Sequence, residues 1–189
     1  MIDLLVLPIC ILTGQENMGK STLCRRIIDF AKKRNIVVSG ISSELEIVDH
    51  QRKAIHSFDI KTGEMINLAL YSAGWDKEKT ERKWKFNQEA FNWGNNVLLR
   101  SVPTDLLVID EIGYLELEKG EGWNECFSIL ESDQYHLAIV VIRPELLPFA
   151  STRIKYLNIY TLQKENRKEI ENKLLEKIRS IDPFMKNHF

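Results

Sequence analysis

Residues Gly14 to Ser21 read G-Q-E-N-M-G-K-S and satisfy the pattern G-x-x-x-x-G-K-[ST]. No other stretch of the chain constrains the fold as much. Such a loop works only between a buried strand and a helix. Its backbone N–H groups point inward, and together with the helix N-terminus they cradle polyphosphate oxygens. Lys20 has the reach for the β and γ phosphates, and Ser21 has the hydroxyl to ligate Mg²⁺. The expected nucleotide-binding set is Gly14, Gln15, Glu16, Asn17, Met18, Gly19, Lys20, Ser21 and Thr22. A chance match is the competing reading, and the flanks argue against it. Upstream, Leu4 to Thr13 is an apolar run suited to a buried parallel strand. Downstream, Ser21 to Asn35 carries Leu23, Ile27, Ile28 and Ala31 at helical spacing.

The 189 residues, 44% of them hydrophobic, predict one domain over 1–189 with a substantial core. A net charge of −1 gives no electrostatic reason to expect nucleic acid or an anionic membrane as partner. The apolar start is too short to span a bilayer and lacks a signal peptide's basic start and cleavage site, so a cytoplasmic location is the default. Cys10, Cys24 and Cys126 lie far apart and read as reduced packing residues, and the four histidines show no ligand spacing.

Apolar runs alternate with amphipathic stretches, which predicts an α/β fold with a mainly parallel sheet. A second strand is expected at Ile36 to Ser39. Ala54 to Ile60 and Met65 to Leu70, joined through Gly63, predict an antiparallel β-hairpin that extends or covers the sheet. Helices are expected at Asn87 to Leu99 (Asn87 as cap), Glu121 to Glu131 and Lys164 to Arg179. Further strands are expected at Tyr135 to Ile142 and Leu157 to Leu162.

The second informative stretch is Asp105-Leu106-Leu107-Val108-Ile109-Asp110-Glu111. An apolar run ending in acids describes a central strand with carboxylates at its C-terminal edge, where open parallel sheets bind ligands. Asp110 is therefore placed to hold Mg²⁺ beside Ser21. Glu111 follows it and can orient or deprotonate an attacking water; the plainer reading is a turn residue or salt-bridge partner. Arg143 ends the apolar strand Tyr135 to Ile142 at the same edge and is the best candidate cation for charge developing on the γ phosphate. An ordinary strand-end arginine is the alternative. The candidate catalytic residues are Lys20, Glu111 and Arg143; the metal-side residues are Ser21 and Asp110.

Thr13-Gly14 with the loop, the stretch Ile109-Asp110-Glu111-Ile112-Gly113 continuing to Leu115-Glu116-Leu117, and Glu165-Asn166-Arg167 form a connected set. Together they resemble the small P-loop nucleoside-triphosphatases of archaea and bacteria, whose animal member is called cancer-related nucleoside-triphosphatase. The resemblance implies a RecA-like P-loop fold, three-layered αβα. It also implies slow, base-tolerant hydrolysis of ATP, GTP and other nucleoside triphosphates to diphosphate and phosphate. Glu16 and Asn17 stand where the family loop usually has Pro and Gly. Asn tolerates positive φ, so Asn17 can keep the loop shape, whereas Glu16 must point to water. Ser43-Glu44-Leu45-Glu46-Ile47 lacks the arginine of the family's matching stretch, and His56 or Ser57 stands near an expected glycine.

Trp75 to Trp84 is charged at almost every position between its tryptophans. It reads either as a lid closing Arg82 or Lys83 over phosphates or as a solvated loop pinned by two rings. Trp93 and Trp123 read as core. Three functional classes compete: a stand-alone nucleoside-triphosphatase, a nucleotide or small-molecule kinase, and a nucleotide-dependent switch. Scattered arginines with no paired lid motif count against the kinase.

Overall fold

A computed structural model describes residues 9–71, 84–154 and 157–181. Its elements in chain order are β1 (Ile9–Thr13), α1 (Lys20–Lys32), β2 (Val38–Val48), β3 (Gln51–Asp59), β4 (Met65–Tyr71) and β5 (Trp84–Phe86). There follow α2 (Gln88–Leu99), β6 (Thr104–Ile112), a π-helical turn Leu115–Lys119, α3 (Glu125–Glu131), β7 (Tyr135–Ile142), a 3₁₀ turn Pro144–Leu146, α4 (Leu147–Arg153), β8 (Leu157–Thr161) and α5 (Arg167–Arg179).

All eight strands join one sheet in the order β5-β4-β3-β2-β6-β7-β1-β8. From β2 to β8 the neighbours are parallel; from β2 to β5 they are antiparallel. Strand β7 stands between β1, which feeds the phosphate-loop motif, and β6, which ends in the acids, as the RecA-like expectation implies. The central strands are buried on both faces, and alternate residues serve opposite cores. Ile9, Ile11, Leu107 and Ile109 pack with α2 and α3 residues such as Val97, Leu98 and Ile129. Cys10, Leu12, Leu106 and Val108 pack with Leu23 and Ile27 of α1 and Leu174 and Ile178 of α5. The result is three layers. The three cysteines are buried and free, as their isolation in sequence suggested.

The hairpin expected at Ala54 to Ile60 and Met65 to Leu70 is present as β3 and β4 and extends the sheet. The second strand is much longer than Ile36 to Ser39. Its start, Val38 to Ile41, runs parallel to β6, and its remainder pairs antiparallel with β3 as an outlying arm. Pairing rather than burial makes that arm a strand, so hydrophobic periodicity does not reveal it. The β2–β3 turn is Asp49-His50, both at positive φ (49° and 59°), as a tight two-residue hairpin turn requires.

Two helix starts move inward. The one expected from Glu121 begins at Glu125, because Gly120 and Gly122 take left-handed turns. The one expected from Lys164 begins at Arg167, because Asn166 folds its side chain back to Gln163 N–H (2.8 Å) and Thr161 C=O (3.0 Å). Asn87 caps α2 as expected, accepting from Glu89 N–H at 3.0 Å. Strand β5, α4 and the π turn were not anticipated.

Candidate active site

Residues 14 to 19 join β1 to α1 as the motif demands. Asn17 adopts φ 61°, the conformation its amide side chain tolerates best among non-glycine residues. Gly19 caps α1 at φ 85°, and a Cβ there would lie 2.7 Å from the guanidinium of Arg167. The Lys20 ammonium folds back on the loop and donates to Gly14 C=O (2.6 Å) and Gln15 C=O (2.8 Å). Burial, only partly offset by Glu111, holds its pKa below the ordinary lysine range.

Ser21, in the first turn of α1, donates its hydroxyl to Asp110 Oδ1 at 3.2 Å. Asp110 is 3% exposed, and burial pushes its carboxyl up to about 7 against the opposing Ser21 hydrogen bond. Beyond it, β6 breaks register with β7 between Ile109 and Ile112, and Glu111 takes φ 102°. That bulge releases Glu111 from the ladder. Its Oε1 accepts from Arg143 Nε at 2.8 Å, and Arg143 Nη1 lies 3.5 Å from Glu16 Oε1. Arg143 thus links the acid after Asp110 to the acid in the loop. Glu16 points outward as expected, and its charge also meets Arg52 at 3.9 Å.

A family model described as NTPase matches residues 9–175, nearly all of the chain. The chain belongs to this NTPase family. It is 26% identical over 174 residues to the nucleoside-triphosphatase THEP1 of Pyrococcus abyssi, covering 89% of this chain and 91% of the relative. It is 28% identical over 166 residues to THEP1 of Methanosarcina acetivorans, covering 86% and 91%. The solution structure of a human cancer-related nucleoside triphosphatase superposes with TM-score 0.71 at 21% identity, covering 90% of this chain and 97% of that one. The crystal structure of THEP1 from Aquifex aeolicus gives 0.66 at 21%, covering 90% and 98%. The P-loop fold and hydrolysis of nucleoside triphosphates follow from this membership.

Within this NTPase the structure gathers Lys20, Ser21, Asp110, Glu111 and Arg143 at the C-terminal edge of the sheet. It also adds two residues to which sequence reasoning gave no such role. Arg167, at the start of α5, donates to Met18 C=O and packs on Gly19, bracing the loop from behind. The motif Glu165-Asn166-Arg167 carried its signal only as part of the family resemblance. Glu116, buried in the π turn, accepts from Gly113 N–H and Trp123 N–H, each at 2.9 Å. Burial raises its pKa despite these bonds. It staples the segment that follows β6, which gives a structural reason for the acid in Leu115-Glu116-Leu117. At the departures in β2 and β3, Ser43 pairs with Ser57 (3.2 Å) and His56 with Glu46 (3.0 Å). The lid candidates Arg82 and Lys83 lie outside the described residues; Trp84, within them, meets Tyr71 edge-on at 5.2 Å.

Proposed function

We propose that this NTPase works as a single domain, depends on Mg²⁺, and removes the γ phosphate of ATP, GTP and other triphosphates with little base selectivity. The observation that carries the reading is Glu111, held off the ladder by a strained bulge, one residue from the Asp110–Ser21 pair and salt-bridged to Arg143. A hydroxyl and a buried carboxylate supply hard oxygen donors suited to Mg²⁺. Among the described residues no three His, Cys, Asp or Glu gather as a metal cluster. Ser21 and Asp110 are the residues that would hold the cation. When bound, it would neutralise charge between the β and γ phosphates. Low base selectivity rests on the family resemblance and on a site whose charged groups address phosphate.

The chain's own residues divide the remaining work. Residues 14 to 22 wrap the phosphates. Lys20 exchanges the carbonyls of Gly14 and Gln15 for phosphate oxygens. Arg143, drawn toward the arriving γ phosphate, releases Glu111, which then takes the proton of the attacking water. The Glu111–Arg143 pair thus serves both as the salt bridge and as the resting state of the acid. Among the described residues no helix is long and apolar enough to cross a membrane.

The test is phosphate release from ATP, GTP, CTP and UTP with Mg²⁺ by wild type, Lys20→Ala and Glu111→Gln. Glu111→Gln should bind nucleotide yet lose about 10²-fold or more in kcat, and Lys20→Ala should lose both. Full hydrolysis by Glu111→Gln rules Glu111 out as the base. Release that depends on an added acceptor moves the assignment to a kinase.

A further inference from the structure

A cavity of about 790 Å³ begins at Glu111 and Arg143 and runs away from the phosphate loop. None of residues 14 to 22 and none of the α5 start line it, so it is separate from the loop that would wrap the phosphates. Its lining is more apolar than polar and includes the rings of Trp84 and Phe86 from β5, Phe91 from α2, and Trp123 before α3. Phe86 and Phe91 stack at 5.6 Å. Hydrolysis does not account for such a space, because the attacking water occupies only about 30 Å³. The volume and lining are those of a small-molecule site.

The charges narrow the guest. Glu111 and Arg143 neutralise one another at 2.8 Å, and both oxygens of Glu116 are taken by backbone N–H groups. Glu118 and Lys119, of opposite sign, are exposed. A charged ligand would find no uncompensated partner in the interior, whereas flat faces find rings.

We propose that this cavity is a second ligand site of the NTPase, taking a flat, uncharged aromatic small molecule that lies against Glu111 and Arg143 and slows hydrolysis when bound. The guest occupies the space through which water reaches Glu111, so it lowers kcat and leaves nucleotide affinity alone. Only this effect on turnover rests on the reading of Glu111 as base; binding does not.

The probe is 2-naphthol, uncharged at pH 7.5, titrated by its fluorescence with and without Mg²⁺ and a non-hydrolysable ATP analogue. Saturable one-to-one binding is expected with and without the analogue, because the rings that hold the probe do not include the Arg143 that nucleotide draws away. Phe91→Ala should weaken it about tenfold or more, and Tyr114→Ala, at an exposed lining position, several-fold. If Phe91→Ala fails to fold, Tyr114→Ala carries the test. Saturating 2-naphthol should cut kcat for ATP with KM unchanged. No saturation up to millimolar probe, binding indifferent to every folded variant, or competition with nucleotide overturns the proposal. In Glu111→Gln the probe should still bind. If that variant hydrolyses ATP like wild type, the base assignment falls while the fluorescence result stands by itself.

Discussion

Among the described residues, six non-glycine positions have positive φ; five lie between 49° and 61°, the ordinary left-handed well, and Glu111 lies at 102°. A side chain in so sparsely populated a region costs about 1–3 kcal/mol, and such strain persists where the surroundings hold it. Here the continuation of β6 on one side and the Arg143 bond on the other hold it. Glu111→Gly should therefore stabilise the fold by about 1 kcal/mol in urea denaturation while abolishing turnover. Asp110 adds a pH signature. Burial raises its folded value to about 7 from 3.8, so the native protein keeps this proton after the unfolded chain has released it. The group's contribution is most favourable below about pH 4, declines as pH rises, and levels off above about pH 7. Wild type should lose on the order of a few kcal/mol across that window relative to Asp110→Asn, measured as unfolding free energy at pH 5 and pH 8. The burial that makes Asp110 a poor free carboxylate suits it to face a cation.

At the scale of elements, α2 and α3 approach closely because Gly94 has no side chain. A Cβ there would lie 2.2 Å from Trp123 Nε1, so Trp123 lies directly against the helix backbone. Gly94→Ala forces the indole outward and should destabilise by about 2 kcal/mol despite alanine's better helix propensity, read from the denaturation midpoint. The outcome separates packing from propensity, since propensity alone predicts a gain of nearly 1 kcal/mol. The same closeness explains why Trp123 belongs to the core, as its place beside an expected helix suggested.

For the whole molecule, the site exists only where β1, β6 and β7 end together. Lys20 and Ser21 follow β1, Asp110 and Glu111 end β6, and Arg143 follows β7. Ligand binding to this edge must couple to global stability. Mg²⁺ with a non-hydrolysable ATP analogue at a hundred times its Kd should stabilise the fold by about 2.7 kcal/mol, seen as a rise in Tm that Lys20→Ala abolishes. The sequence by itself determined the phosphate loop, the buried central strands and the acids at a strand end, because each is local: a fixed spacing, a continuous apolar run, a carboxylate closing it. It also carried the β3–β4 hairpin, whose Gly63 marks the turn. Only the tertiary structure decided the antiparallel arm of β2, whose strand character comes from pairing with β3 rather than from burial. It alone decided that Arg143 would meet Glu111 and Glu16, that Arg167 would brace the loop from 148 residues beyond Gly19 (167 − 19), and that aromatic rings would line a cavity beside Glu111. Those contacts join residues far apart in the chain, and no local spacing encodes which distant side chain a folded sheet edge brings near.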